Sequence, residues 1–262
     1  MDAGKTIQIF LNEREKNIIQ LVSANKKSLS KDEFHNLRVE IKKLKAGMLI
    51  LKHSNPSFQT RQTFHPFLHL FKAAGHVREI QLHRAHLSEI GQLRFLPSYR
   101  RFLAQKLSEN EARFYIVRKN VTKSVVQHAF RKAKDATLAI NTEQLNKYLL
   151  SRQEKICKLI GKDRLKVSQT HDLRKAVKSF YFLSGLFPLR EKKLKRLNSF
   201  QELLGRWHDY EVMTEDLEKA MKHCRLLATE SKRMENLISK TKKERALLFQ
   251  KIHQKKKQVL IS

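Results

Sequence analysis

Two stretches of this 262-residue chain repeat one another. HNLRVEIKKLK begins at His35 and HDLRKAVKSFY begins at His171, 136 positions later (171 − 35). Each reads His-x-Leu-Arg with a lysine seven residues after the histidine, Lys42 and Lys178. At the same offset Ile41 falls on Val177 and Leu44 on Phe180, so the apolar and basic patterns recur together. A second pair follows downstream, FKAAGHVRE ending at Glu79 and QELLGRWHD ending at Asp209, with Gly75 matching Gly205 at an offset of 130 (205 − 75). A loop absorbs the difference between the two offsets. One unit used twice predicts two equivalent bodies, and a pseudo-twofold relation between them.

The unit is helical. Leu37, Ile41, Leu44, Met48 and Leu51 are spaced four, three, four and three apart, a single stripe at about 100° per residue. Leu173, Val177, Phe180 and Phe187 form its counterpart. Seven Gly and four Pro leave few places to turn, and Asn55-Pro56-Ser57, Leu96-Pro97-Ser98 and Phe187-Pro188 are the clearest breaks. Between them the pattern predicts eight helices, near 5–24, 31–53, 64–94, 98–135, 140–160, 168–187, 190–222 and 225–257. Two sets of four suggest an all-α protein of two four-helix bundles, 1–136 and 137–262.

Charge points to the partner. Lys and Arg number 55 against 25 Asp and Glu, a formal +30; an excess of this size favours a polyanion, whether nucleic acid, an anionic lipid surface or a phosphate polymer. Cys157 and Cys224 are isolated, without the spacing of a disulfide framework or zinc finger, and read as thiols in a reducing compartment. The N-terminal stretch has no apolar core of a signal peptide, and FYFLSGLFPL at 180–189 is too short to span a bilayer. The expectation is a cytoplasmic protein with no membrane insertion.

On a helical wheel Arg38, Lys42 and Lys45 fall within roughly 80° of His35, with the Leu37/Ile41/Leu44 stripe nearly opposite. His171, Arg174 and Lys178 repeat the arc. One side packs and the other carries cations, and pseudo-symmetry would bring the two arcs along one groove between the bundles. Arginine forks, lysine point charges and histidine N–H groups suit phosphate oxygens. An ordinary solvated face is the alternative, although solvation alone does not call for histidine twice at the same phase.

These motifs resemble the CHAD-domain family in its standalone form, over nearly the whole chain. Its marks are the two HxxRxxxK helices and two segments similar to an LGxxRD pattern, here AAGHVRE and LLGRWHD. The resemblance implies two pseudo-symmetric four-helix bundles whose basic residues bind inorganic polyphosphate, with His35, Arg38, Lys42, His171, Arg174 and Lys178 as contacts. Lys45, on the same arc, joins them, as do Arg78, Arg206 and His208 from the second motif pair. The motifs also depart from the family: Ala74 and Glu79 stand for Leu and Asp in the first copy, and His208 for Arg in the second. Gly75 and Gly205 are assigned to close helix packing, Glu79 and Asp209 to pairing with a neighbouring cation. REKKLKRLNSF, ahead of the second copy, adds Lys193 and Arg196 and tilts binding toward the C-terminal half; polyphosphate granules are a place such a protein would gather.

Other signals compete. The last helix carries SKTKKERALLFQKIHQKKK, which could attract nucleic acid or anionic lipid, or form a bundle helix with a solvated face and a frayed tail. No zinc-finger, RNP or P-loop signature occurs, and aromatic residues do not interleave with the basic clusters as base stacking requires, so non-specific RNA or DNA binding is the second reading. His65/His69 and His83/His86 could each share a helix face but read as packing or surface histidines, so no metal site is expected. Neither convergent metal-binding carboxylates nor an alternating ExExK pattern occurs; no cofactor or catalytic residue is assigned, and a binding protein rather than an enzyme is expected.

Overall fold

The computed structural model describes residues 2–23, 28–183, 186 and 191–259. Among these there are nine α-helices and no strand: α1 Ala3–Val22, α2 Lys31–Ser54, α3 Thr60–Glu89, α4 Pro97–Lys119, α5 Lys123–Asp135, α6 Thr142–Ile160, α7 Val167–Leu183, α8 Glu191–His223 and α9 Ala228–Lys255. The expected helix over 98–135 is thus two. Thr122 ends the continuity by accepting a hydrogen bond from the Val125 amide, a threonine N-cap that restarts the chain as α5 without Gly or Pro. The expected break at Phe187-Pro188 and the last residue of the second apolar stripe, Phe187, lie outside the described residues.

Local chemistry explains where helices begin and end. Ser30 and Glu33 form a reciprocal capping box at the start of α2, with the Ser30 amide donating to Glu33 Oε2 at 2.9 Å and the Glu33 amide to Ser30 Oγ at 3.2 Å. Gly91, with φ +68°, takes the left-handed conformation that follows α3. The buried Glu230 accepts from the Leu227 amide at 3.0 Å and from the Ser98 amide at 2.8 Å, so one carboxylate caps the starts of both α9 and α4. Burial pushes that carboxyl up, but the hydrogen bonds from Leu227, Ser98 and Tyr99 outweigh it and the net shift is down.

By contact the chain forms two compact units, each discontinuous: Met1–Gln81 with Leu107–Arg152 and Phe182–Pro188, and Leu82–Lys106 with Gln153–Tyr181 and Leu189–Ser262. Contact therefore draws a different boundary from the expected one at 136/137. The latter concerns ancestry; the fold is compatible with the duplication, which stands as a proposal.

In the first unit the predicted stripe is the core: Leu37, Ile41, Leu44, Met48 and Leu51 are each at most 1% exposed. Facing them are Ile7, Leu11 and Ile18 of α1, and Phe34 meets Phe114 edge-on at 4.8 Å. Arg14 of α1 is also buried, held to Glu40 of α2 by a 2.5 Å ion pair. In the second unit Leu173 and Val177 of α7, Leu204, Trp207 and Leu217 of α8, and Met234, Leu237, Leu248 and Ile252 of α9 are buried. Where α8 crosses α9, the Thr214 and Thr241 hydroxyls lie 3.1 Å apart. The C-terminal lysine run is not simply a frayed tail. Lys256 is 1% exposed and its Nζ donates to the carbonyls of Lys162, at a short distance, and Asp163 at 3.2 Å, capping the chain beyond α6.

Candidate functional site

In the first unit the cation row of α2 lies against aromatic rings of α3. The Arg38 guanidinium sits over Phe71 at 4.4 Å, Lys42 Nζ is 5.5 Å from the same ring, and Lys45 Nζ is 5.9 Å from Phe64. Helical geometry explains the match, since Phe64 and Phe71 are seven apart on α3 and Lys45, Lys42 and Arg38 follow at three- and four-residue steps along α2. Cation–π contacts hold the charged heads near the ring faces without neutralising them. Arg38 Nη1 also donates to the Phe71 carbonyl at 3.0 Å. Burial pushes this guanidinium down from its ordinary value; Glu79 opposes the shift and Arg78 adds to it. Arg78 donates toward the Lys31 carbonyl at 3.5 Å, and His35 is exposed one turn before Arg38.

Gly75 completes this arrangement. A Cβ built there would collide with Arg38 Nη1, so the expected close packing is present, made by the end of the Arg38 side chain passing over the glycine. Gly205 differs: nothing lies within 4 Å of a Cβ there, which corrects the assignment of that glycine to close packing. Gly75→Ala should displace the Arg38 guanidinium, and the polyanion binding expected from the sequence should then weaken by about tenfold, the scale of one charge-assisted hydrogen bond. Gly205→Ala should leave binding unchanged and add about 0.5–1 kcal/mol of helix stability. Titration calorimetry and urea melts of the two variants check both.

The second unit repeats the central part of this arrangement with different supports. Burial pushes the Arg174 guanidinium down, and Asp209 and Glu211 oppose it. Glu79 and Asp209 thus each sit in the field of the arginine of their own copy. The His171 ring packs against Trp207 at 4.8 Å and meets the His208 ring nearly perpendicularly at 5.4 Å. His171 Nε2 lies 3.0 Å from Glu211 Oε2, and His208 Nδ1 lies 3.3 Å from the same oxygen. Burial, reinforced by Arg174, pushes the His208 imidazole down to about 4 against the pull of Glu211. At neutral pH His208 is therefore an uncharged donor or acceptor, whereas the arginine of the family motif would be a cation.

Lys178 on α7 and Lys193 and Arg196 on α8 are half-buried, and Arg206 is exposed. Arg196 and Arg206 are ten residues apart, about 15 Å along the helix axis, so the basic run at the start of α8 is separate from the His208 stretch of the same helix. Its neighbour Lys195 pairs with Glu191 at 2.6 Å. The rings of His65 and His69 are 5.1 Å apart, and His83 Nε2 lies 3.1 Å from the Tyr99 hydroxyl in the second unit's interior.

The model of the family described as "CHAD domain" matches residues 15–218. Among solved structures, the crystal structure of the CHAD domain from the plant Ricinus communis matches with a TM-score of 0.76 at 15% identity, covering 98% of this chain and 93% of that one. That likeness shows a shared fold. No curated protein matches the chain. No helix among the described residues is long and apolar enough to cross a membrane.

Proposed function

Because the chain belongs to the CHAD-domain family, we propose that it binds inorganic polyphosphate along the cation rows of α2 and of α7 and α8, holding the polymer without cutting it. One observation carries this reading: Arg38 and Arg174, at corresponding positions of the repeat, are both partly desolvated, each with an acid of its own copy opposing the effect. A phosphate oxygen supplies further compensating charge and accepts the planar fork of the guanidinium. His35, Lys42, Lys45 and Arg78 extend the first row; His171, Lys178, Lys193, Arg196, Arg206 and His208 extend the second. A polymer engaging both rows, in the groove expected from the duplication, is the fuller form of the proposal.

The length of the rows favours a polymer. His35 and Lys45 are ten residues apart on one helix, about 15 Å, more than a single pyrophosphate can bridge. Contacts on a tethered polymer act at high effective concentration, so long-chain polyphosphate should bind about 100-fold tighter than pyrophosphate or ATP. Calorimetry with the three ligands tests this, and equal affinities would remove the proposal. Salt sensitivity does not separate polyphosphate from nucleic acid, because both release counterions. Competition does: single-stranded DNA of matched charge should fail to displace the polymer at equal concentration, and efficient displacement would move the reading to nucleic acid. Unchanged polymer length after incubation with Mg²⁺ is expected of a binding protein.

A further inference from the structure

His208 and Glu211 lie one turn apart on α8, three residues that bring both side chains to one face. His171 reaches the same point from α7, steadied by the Trp207 ring. The ligand atoms of the three residues all lie within 4.8 Å of one another. Around a tetrahedral ion with metal–nitrogen and metal–oxygen bonds of about 2.0–2.1 Å, neighbouring ligand atoms stand about 3.3 Å apart. Glu211 Oε2 is 3.0 Å from His171 Nε2 and 3.3 Å from His208 Nδ1, already close to two edges of that tetrahedron.

We propose that His171 Nε2, His208 Nδ1 and the Glu211 carboxylate form a binding site for one divalent transition-metal ion of the zinc class. Two imidazoles and one carboxylate are borderline ligands that suit Zn²⁺ or Co²⁺; Mg²⁺ and Ca²⁺ take oxygen-rich shells. Glu211 is 8% exposed, and a buried carboxylate calls for positive charge. Arg174 is the nearby cation that opposes a metal, and Asp209 shares its field with Glu211 on the other side. Three protein ligands leave a fourth position for water or an anion's oxygen.

The site belongs to one copy of the repeat. At the positions matching His171, His208 and Glu211, the first half has His35, Arg78 and Gln81. An arginine there cannot ligate a metal, so the stoichiometry is one ion per chain. This inference does not depend on the polyphosphate reading, because its ligand is the metal alone.

Metal-stripped, untagged full-length chain titrated with Zn²⁺ by calorimetry, and with Co²⁺ by visible absorption, tests it. One ion per chain and the intense d–d bands of a tetrahedral Co²⁺ site are expected. His208→Ala and Glu211→Gln should each weaken binding by about 100-fold or more, the effect of losing one of three ligands. The exposed His65/His69 pair serves as the control, and His65→Ala/His69→Ala should bind as the unaltered chain does. Absence of the tetrahedral spectrum, undiminished binding in His208→Ala and Glu211→Gln, or its loss in the control variant would each overturn the site. If Glu211→Gln does not fold, His208→Asn, a neutral replacement at a half-buried position, carries the same test with the same outcomes.

Discussion

Reversing Arg38 and Arg174 together to glutamate should weaken the binding of long-chain polyphosphate by roughly 100-fold or more. A hydrogen bond to a charged group is worth about 1.5–3 kcal/mol, a factor of about ten to one hundred each, and the introduced carboxylates add repulsion. Either single reversal should lie between the double variant and the unaltered chain. Arg38→Lys/Arg174→Lys keeps the charge and removes the fork, so an intermediate loss identifies bidentate geometry as part of the affinity. Lys147→Glu/Lys219→Glu is the control. It changes net charge by the same amount at exposed lysines that pair with Glu143 and Asp216 and are not among the assigned contacts. An equal loss in that control would mean diffuse attraction by the +30 chain, and the assignment of the two arginines would fall.

The histidine-bearing helices were legible because two periodicities lie on the same residues. In α2 the positions predicted to pack are buried, whereas in the predicted arc His35 and Lys45 are exposed and Arg38 and Lys42 half-buried, since an amphipathic helix sorts its faces by the 3.6-residue repeat alone. What sequence spacing could not reveal depends on the neighbouring helix. Phe64 and Phe71 carry no mark of this role in the sequence, but from α3 their rings lie against the cations of α2. The two motif glycines looked equivalent; only the path of the Arg38 side chain sets Gly75 apart, and the half-buried Gly205 has open space beside it. The break between α4 and α5 escaped notice because a threonine cap is a weaker signal than Gly or Pro. Glu211 was missed for a similar reason: it is one of seven acids on α8, and nothing in one dimension announces that His171 meets this one. The His-x-x-Glu spacing within α8 was the available signal.

Trp207→Ala should destabilise the second unit by about 3–5 kcal/mol, the usual loss for deleting a buried aromatic ring. Trp207 is 1% exposed and lies between two helices' worth of contacts, with the His171 ring of α7 at 4.8 Å on one side and the Phe249 ring of α9 at 6.0 Å on another. Alanine removes the packing of both at once. The cavity opens beneath His171, so the variant should lose the His171–Glu211 contact as well as stability, whereas Trp207→Phe retains an aromatic face and should lose less of either. Urea denaturation followed by circular dichroism reads the stability, with a lowered midpoint and an unchanged slope expected of a loss confined to the folded state. Binding measured well below the midpoint separates the two consequences. If Trp207→Ala binds polyphosphate and zinc as the unaltered chain does, the ring is core packing alone and His171 is positioned by Glu211; if Trp207→Phe restores what alanine loses, an aromatic face at this position is the floor on which the second copy of the motif is built.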